Sequence, residues 1–322
     1  MDKYDPNRIE LLNINSLTVE YRIDAGWMRA LDGISLELER GAQLGLVGES
    51  GCGKSTLGLS ILGLLPENAR VVGGEIFLNG RNLVGLSENE MRKIRAKHVS
   101  LIAQGAIDGL DPVFRVGDQI AEALTAHFDL PKGEVQKRVS ELFREVGLSP
   151  ERIKNYPHQL SGGMRQRVMI CMGLICNPEL LIADEPTTAL DVVTQDLVMG
   201  DIEKLRGKFG FAAILISHDI PLVFERCSRI AVMYAGKVVE YGSTLDLTED
   251  PRHPYTRLLL QALPSFTGSA SKIVPIPGRP PRLFGDSQTC AFLPRCPYSE
   301  EICKREYPSR KERRGGYYLC HI

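Results

Sequence analysis

Three groups of residues in this chain have the types and spacing to do chemistry. The first is Gly48-Glu49-Ser50-Gly51-Cys52-Gly53-Lys54-Ser55, followed by Thr56. Its pattern is that of a phosphate-cradling loop, with a short apolar strand before it and a helical run (residues 56–64) after it. Phosphate oxygens need many donors at close range. Glycines let the backbone wrap the anion, the start of the helix adds free N–H groups, Lys54 reaches the β- and γ-phosphates, and Ser55 ligates Mg²⁺. Cys52 reads as a tolerated small residue rather than a nucleophile. The second group is Asp184 and Glu185 at the end of the apolar run Leu180–Ala183. Successive side chains on a strand point to opposite sides. That suits Asp184 to holding Mg²⁺ through water and Glu185 to acting on an attacking water as general base. The third group is Cys290, Cys296, Cys303 and Cys320, half of the chain's 8 cysteines, crowded near its end. In a reducing compartment such a cluster points to metal rather than to disulfides.

Alternating strands and helices from Leu11 to about Pro264 position the first two groups and predict an α/β fold. Leu11–Tyr21 and Ile34–Glu39 alternate as antiparallel strands with one wet face. Gln43–Val47, Leu180–Ala183, Ala212–Ser217 and Ile230–Tyr234 read as buried strands. The last continues through Ala235–Gly236 into Lys237–Tyr241 as a hairpin. Between Val116 and Cys176 the apolar spacing becomes helical, with Ile120, Leu124, Val135, Val139, Leu142, Phe143 and Val146 recurring at three- and four-residue intervals. This predicts a helical subdomain (about residues 105–176) inserted into the α/β core. Eight of the 19 prolines fall between Pro264 and Pro308. The expectation there is a tail without regular helix or sheet, stapled by its cysteines. Ser269–Ser271 reads as linker.

Lys+Arg is 39 and Asp+Glu 40 in 322 residues, a net charge of −1. That argues against binding nucleic acid through bulk positive charge and leaves a local basic patch open. With 43% hydrophobic and 25% charged residues the chain reads as folded and cytoplasmic. Met1–Glu10 lacks the apolar core of a signal peptide, and no apolar run approaches a membrane span.

Leu160-Ser161-Gly162-Gly163-Met164-Arg165-Gln166-Arg167 resembles the signature of the ABC (ATP-binding cassette) ATPases, and other cassette motifs occur in order over about residues 9–245. The resemblance implies that Tyr21 stacks on adenine, with Trp27, in the insertion-like stretch Asp24–Arg29, as the alternative. It implies that Gln104 is the Q-loop glutamine near Mg²⁺ and the reacting water, that Ala189-Leu190-Asp191 is the D-loop, and that His218 is the switch histidine. Ser161, Gly162 and Gly163 open a helix and offer a second set of free N–H groups for phosphate. In this family the loop of one subunit and the signature of another sandwich ATP, and hydrolysis releases the dimer.

Pro251–Pro264 is similar to the extension of ATP-binding subunits of dipeptide/oligopeptide/nickel importers, as are Glu49 and Gly105–Pro112. The implied cofactors are ATP and Mg²⁺. The implied partners are a second ATPase subunit (a paralogue in that subfamily), two membrane permease subunits and an extracytoplasmic substrate-binding protein. The implied location is the cytoplasmic face of the membrane. Peptides are the expected cargo, with nickel and oligosaccharides as alternatives. Two domains are expected, a cassette at 9–250 and an extension at 251–322. From the C-x5-C-x6-C-x16-C spacing alone, an iron–sulfur cluster, zinc and unliganded thiols all stay open. Resemblance to an iron–sulfur module in some members of the subfamily points to [4Fe–4S], with zinc as the alternative. The nine basic residues between Arg279 and Arg314 read as a solvated face. A non-transport ABC ATPase of translation or repair is the competing reading. The short segment between Ser55 and Ser161, free of heptads, counts against a repair type, and the single cassette against a translation type. A regulatory module with a vestigial ATPase is a third reading, opposed by intact Lys54, Asp184, Glu185 and His218.

Overall fold

The computed structural model describes residues 10–105, 109–188, 190–263, 276–281, 284–285 and 288–322. The predicted Ser269–Ser271 linker, Ala189 of the D-loop and part of the Gly105–Pro112 stretch lie outside them.

The chain opens with two long strands, β1 (Glu10–Ile23) and β2 (Gly26–Glu39). In β2, Ile34, Leu36 and Leu38 are buried while Ser35, Glu37 and Glu39 are not, the period-two pattern of a sheet with one covered face. Next come β3 (Gln43–Val47), α1 (Lys54–Ile61), β4 (Ala69–Leu78), β5 (Arg81–Asn82), α2 (Glu88–Ile94) and β6 (Val99–Ile102). Helices α3 (Val116–Thr125), α4 (Lys132–Glu145) and α5 (Gly162–Leu174) follow. The chain then alternates again: β7 (Leu180–Asp184), α6 (Val192–Phe209), β8 (Ala212–Ile216), α7 (Ile220–Arg226), β9 (Arg229–Tyr234) and β10 (Lys237–Ser243). Two short helices, α8 (Thr244–Glu249) and α9 (Pro254–Gln261), lead to the tail, which carries β11 (Arg310–Arg313) and β12 (Gly316–Leu319).

These elements form two compact units. One comprises Met1–Leu38, Gln43–Val84 and Leu215–Ile322. It holds a sheet in the order β2-β1-β4-β5 and a run of strands in the order β11-β12-β10-β9-β3. Strands β3 and β9 are parallel, whereas β9–β10, β10–β12 and β11–β12 are antiparallel. Every residue of β3 is buried, as the uninterrupted apolar run requires. Ala235 and Gly236 have φ of 45° and 77°, the left-handed pair that a two-residue hairpin needs between β9 and β10. The insertion-like stretch Asp24–Arg29 forms the turn after β1 and the start of β2.

The second unit comprises Glu39–Ala42 and Gly85–Ile214. Here β6 pairs in parallel with β7, and β8 lies on the other side of β7. Helices α3, α4 and α5 contact one another, and α5 also lies against β6 and α6. All seven apolar residues that set the helical spacing, from Ile120 to Val146, are buried. Arg167 on α5 donates through Nε to Asp201 on α6 at 2.7 Å, fixing the two helices in register.

The tail departs from expectation. It contains regular sheet: β12 adds to the edge of β10, with Tyr318 opposite Glu240 and Tyr317 opposite Tyr241. The prolines do not oppose this, because the last of them, Pro308, precedes β11. Tyr317 is buried and its hydroxyl donates to the carbonyl of Ser35 at 2.7 Å. Phe292, 1% exposed, meets Tyr234 at 5.2 Å and Tyr255 at 5.4 Å between ring centroids, both edge-on. Edge-on aromatic contacts of this kind hold by apolar burial and ring electrostatics together. The tail is therefore attached to its unit by packing and strand addition, whatever its cysteines bind.

Candidate nucleotide-binding site

In the first unit β3 delivers the chain into Gly48–Ser55 and α1 carries it away. Two glycines explain the tight course. Gly48 has φ 149°, and a Cβ there would lie 2.1 Å from the carbonyl oxygen of Met233. Gly53, the N-terminal cap of α1, has φ 108°, and its Cβ would come within 2.7 Å of the Ala30 carbonyl. Only glycine fits either place. Ser55 and Gly51 are exposed, whereas Lys54 is buried and its ammonium donates to the carbonyls of Gly48 (2.8 Å) and Glu49 (3.2 Å). Cys52 is buried, which pushes its thiol pKa up despite Lys54 nearby and makes it a poor nucleophile, as expected. The Tyr21 hydroxyl lies 3.5 Å from Thr56 Oγ1, so its half-buried ring stands beside the loop. The guanidinium of Arg70 lies 3.7 Å from the ring centre of Trp27, which is 36% exposed. His218 is exposed just beyond β8, before Asp219, whose carboxylate accepts from Leu222 N–H at 3.1 Å and caps α7.

The second unit carries the other candidate residues. Asp184 ends β7 and is 8% exposed. Glu185 follows in a left-handed conformation, φ 49°, which costs energy for a residue with a side chain and turns its carboxylate off the strand. One oxygen of that carboxylate accepts from Gln104 Nε2 at 3.0 Å and from Thr188 Oγ1 at 2.9 Å. Ser161 caps α5, accepting from Met164 N–H at 3.4 Å, so Gly162 and Gly163 form its first turn, as predicted. Asp191 caps α6: Thr194 donates to it from its backbone (3.0 Å) and hydroxyl (2.7 Å), holding its carboxyl below the usual range. Ser55 in the first unit offers a hydroxyl and Asp184 in the second a carboxylate, each an oxygen donor of the hard kind that Mg²⁺ takes.

Two matches in sequence bear on this set. Residues 31–188 match the ABC transporter family, and residues 239–303 match the oligopeptide/dipeptide transporter C-terminal region. The chain is 44% identical over 317 residues to a probable peptide ABC transporter ATP-binding protein of Sinorhizobium fredii, covering 97% of this chain and 95% of that one. It is 42% identical to the dipeptide transport ATP-binding protein DppD of Bacillus subtilis, over 96% and 93% of the two chains. The oligopeptide transport ATP-binding protein OppD of Escherichia coli is 41% identical, over 96% and 92%.

The chain belongs to the ATP-binding subunits of the oligopeptide/dipeptide ABC transporter family.

Solved cassettes agree with the fold. A dimeric ATP-binding cassette in a post-hydrolysis state with ADP and phosphate superimposes at TM-score 0.65 with 26% identity, over 73% of this chain and 99% of that one. The cassette cbiO1 of Clostridium perfringens, part of an ABC transporter complex, gives 0.66 with 27% identity, over 76% and 92%. Like its family, the chain is an ATPase subunit. Among the described residues, no helix is long and apolar enough to cross a membrane.

In the family's C-terminal region the structure agrees with the sequence reading only in part. Cys290, Cys296, Cys303 and Cys320 line one pocket with Phe292, Leu293 and Pro254, about 310 Å³ including its open side. Yet among the described residues no three Cys, His, Asp or Glu side chains stand in a geometry that holds a metal ion. Burial pushes the Cys290 thiol up to about 11 and raises those of Cys296 and Cys320 as well. The solvated basic face also fails in part. Arg295 is buried against Glu49, and Arg313 pairs with Asp250 at 2.7 Å. Arg295 and Tyr255, whose hydroxyl accepts from Glu49 N–H at 3.0 Å, are contacts of the phosphate loop that sequence reading missed. They lie 246 and 206 residues away along the chain, and no local pattern signals them.

Proposed function

We propose that this chain hydrolyses ATP on the cytoplasmic face of a membrane to drive import of dipeptides or oligopeptides through permease partners. What carries the reading is the likeness to DppD and OppD at 41–42% identity over at least 92% of each chain, which extends through the C-terminal region. Nickel and oligosaccharides are the alternative cargoes.

In the proposed reaction Gly48–Ser55 wraps the phosphates, with Thr56 and Glu49 at its edges and Tyr21 against adenine. Lys54 leaves the loop carbonyls to meet the β- and γ-phosphates. Ser55 and Asp184 would hold Mg²⁺, with Gln104 as a further ligand, and the ion would supply neutralisation of the phosphate charge. Glu185 accepts a proton from the attacking water as its oxygen bonds to the γ-phosphorus; the bond to the bridging oxygen breaks and ADP leaves. Gln104 and Thr188 orient that carboxylate. His218 contacts the γ-phosphate. Ser161, Gly162, Gly163 and Asp191 serve the ATP bound to a second subunit, a paralogue. Two permease subunits and a substrate-binding protein complete the assembly. The proposed division is a cassette at 9–250 with its helical part at about 105–176, and an extension at 251–322.

The experiment is uptake of labelled peptide into vesicles holding the assembled transporter with ATP. Peptide uptake that stops with Lys54→Ala supports the reading. Uptake of nickel or oligosaccharide but no peptide would overturn the cargo.

For the four cysteines we propose a [4Fe–4S] cluster, with zinc as the alternative. Four thiols around one apolar pocket are the donor set for it. The side chains must re-aim and lose their protons to ligate, and a single zinc would need them closer than a cluster several ångströms across. The cluster would cross-link the tail's loops. Anaerobic purification with iron and sulfide analysis tests this: about four of each per chain supports it, and zinc without iron sinks it.

A further inference from the structure

Arg295 has a contact set unlike that of any other described basic residue in the tail. It ends the short 3₁₀ turn Leu293–Arg295, between Cys290 and Cys296, and its side chain is 6% exposed. A guanidinium has five N–H donors in a fixed plane, and all five are engaged. Nε donates to the Pro277 carbonyl at 2.6 Å. Nη1 donates to Glu49 Oε2 at 3.0 Å and to the Tyr234 hydroxyl at 3.2 Å. Nη2 donates to Glu49 Oε1 at 2.9 Å and to the Ile276 carbonyl at 3.3 Å. The rings of Tyr234 and Phe292 lie 5.7 and 5.9 Å from its centre.

The partner matters more than the count. Glu49 is the second residue of the phosphate loop, and the protein holds it at three points. Arg295 grips its carboxylate with both arms, the Tyr255 hydroxyl accepts its N–H, and Lys54 donates to its carbonyl. A buried ion pair is a weak source of net stability, since desolvation offsets its attraction. A bidentate pair does impose one orientation on the carboxylate, which a lysine cannot reproduce. Because Glu49 adjoins Gly48, whose carbonyl also takes a Lys54 donor, fixing it fixes the backbone on which Lys54 rests.

We propose that Arg295 is a positioning residue for the phosphate loop, so that the cysteine-bearing tail sets the affinity for ATP by holding Glu49. The inference rests on the proposed reading of Gly48–Ser55 as the ATP-binding loop. It assigns the tail a part in nucleotide binding whether or not its cysteines carry a cluster.

The test uses the assembled transporter with four variants: Arg295→Lys, Glu49→Gln, Glu49→Gln/Arg295→Lys together, and Lys54→Ala as the control for the loop. Arg295→Lys keeps the charge and most of the volume and loses the fork. Its expected effect is a rise of about tenfold in KM for ATP, with kcat within about twofold at saturation and the thermal midpoint little changed. Glu49→Gln is expected to raise KM similarly, and the double variant to be no worse than the poorer single one, because both break the same contact. KM unchanged in every Arg295 and Glu49 variant, with Lys54→Ala abolishing binding, overturns the positioning role and leaves the loop assignment standing. ATP binding that survives Lys54→Ala overturns the loop assignment itself. Should Arg295→Lys fail to assemble, Glu49→Gln alone decides by the same split between KM and kcat.

Discussion

Gln104 donates its side-chain amide to Glu185 across 3.0 Å, and parallel strand register brings them together. Ile102 stands beside Ala183 in the β6–β7 pair, so the residues two further on leave the sheet side by side. Parallel strands end at the same edge, which is where open α/β sheets gather their reacting groups. A glutamine and a glutamate 81 positions apart thereby share one site.

Replacing Glu185 by Gln should leave ATP binding intact while slowing hydrolysis by about 10²–10⁴-fold, the range for loss of a general base. Measuring nucleotide retention and single-turnover hydrolysis on the same preparation checks both halves. Hydrolysis at the wild-type rate would remove Glu185 from its assigned role.

Gly48→Ala should damage the loop rather than the fold at large. The new Cβ would meet the Met233 carbonyl at 2.1 Å on a backbone with φ 149°. The loop must shift, at a cost of roughly 1–3 kcal/mol. Calorimetry should show a modest fall in thermal midpoint and equilibrium titration a large loss of ATP affinity. An alanine protein that binds ATP normally would contradict the packing.

His253 predicts acid sensitivity. It is buried, its Nδ1 accepts from Tyr255 N–H at 3.0 Å, and burial pushes its pKa from 6.5 down to about 3. The unfolded chain takes up that proton near pH 6.5 and the folded one only near pH 3. Stability from this group is therefore full above pH 6.5 and lost as pH falls toward 3, at up to about 1.4 kcal/mol per pH unit. Asparagine can keep the helix cap without titrating. Glu240, which accepts from His253 N–H and is pushed up by burial, is common to both proteins. Denaturant midpoints of wild type and His253→Asn at pH 7.5, 6 and 5 should converge or cross as pH falls. A constant difference would show that His253 titrates normally.

Phe292→Ala should cost about 3–5 kcal/mol, the range for removing a buried aromatic side chain. The loss includes the edge contacts to Tyr234 and Tyr255. Proteolysis of the folded protein should then begin in the tail. Unchanged thermal midpoint and cleavage pattern would mean that strand addition by β12 alone holds the tail.

Much of the cassette is legible in one dimension because its signals are local. A loop that wraps phosphate needs glycines at set intervals, and helical apolar spacing marks α3–α5 because each helix must bury one face. The phosphate loop, the acidic pair at the end of β7 and the helix opening at Gly162 all lie where that reading puts them. The tail was misread for a physical reason. Its prolines are local and visible, but β12 is a strand because the edge of β10 offers it free hydrogen-bonding groups. Edge pairing leaves no trace in the spacing of the strand that joins.

The sequence by itself determined the chemistry on offer: which residues can cradle phosphate, hold a cation, activate water or ligate metal. Residue type and short-range spacing carry those facts. Only the tertiary structure decided which of them meet. It brought Gln104 to Glu185, set Arg70 against the ring of Trp27, and gathered four cysteines around one pocket without a ready ligand geometry among the described residues. Above all it placed Arg295 on Glu49, 246 residues away. Such contacts arise when separate segments are packed to bury apolar surface, and the polar groups carried along must then find partners. Which partner each finds is settled by the packing.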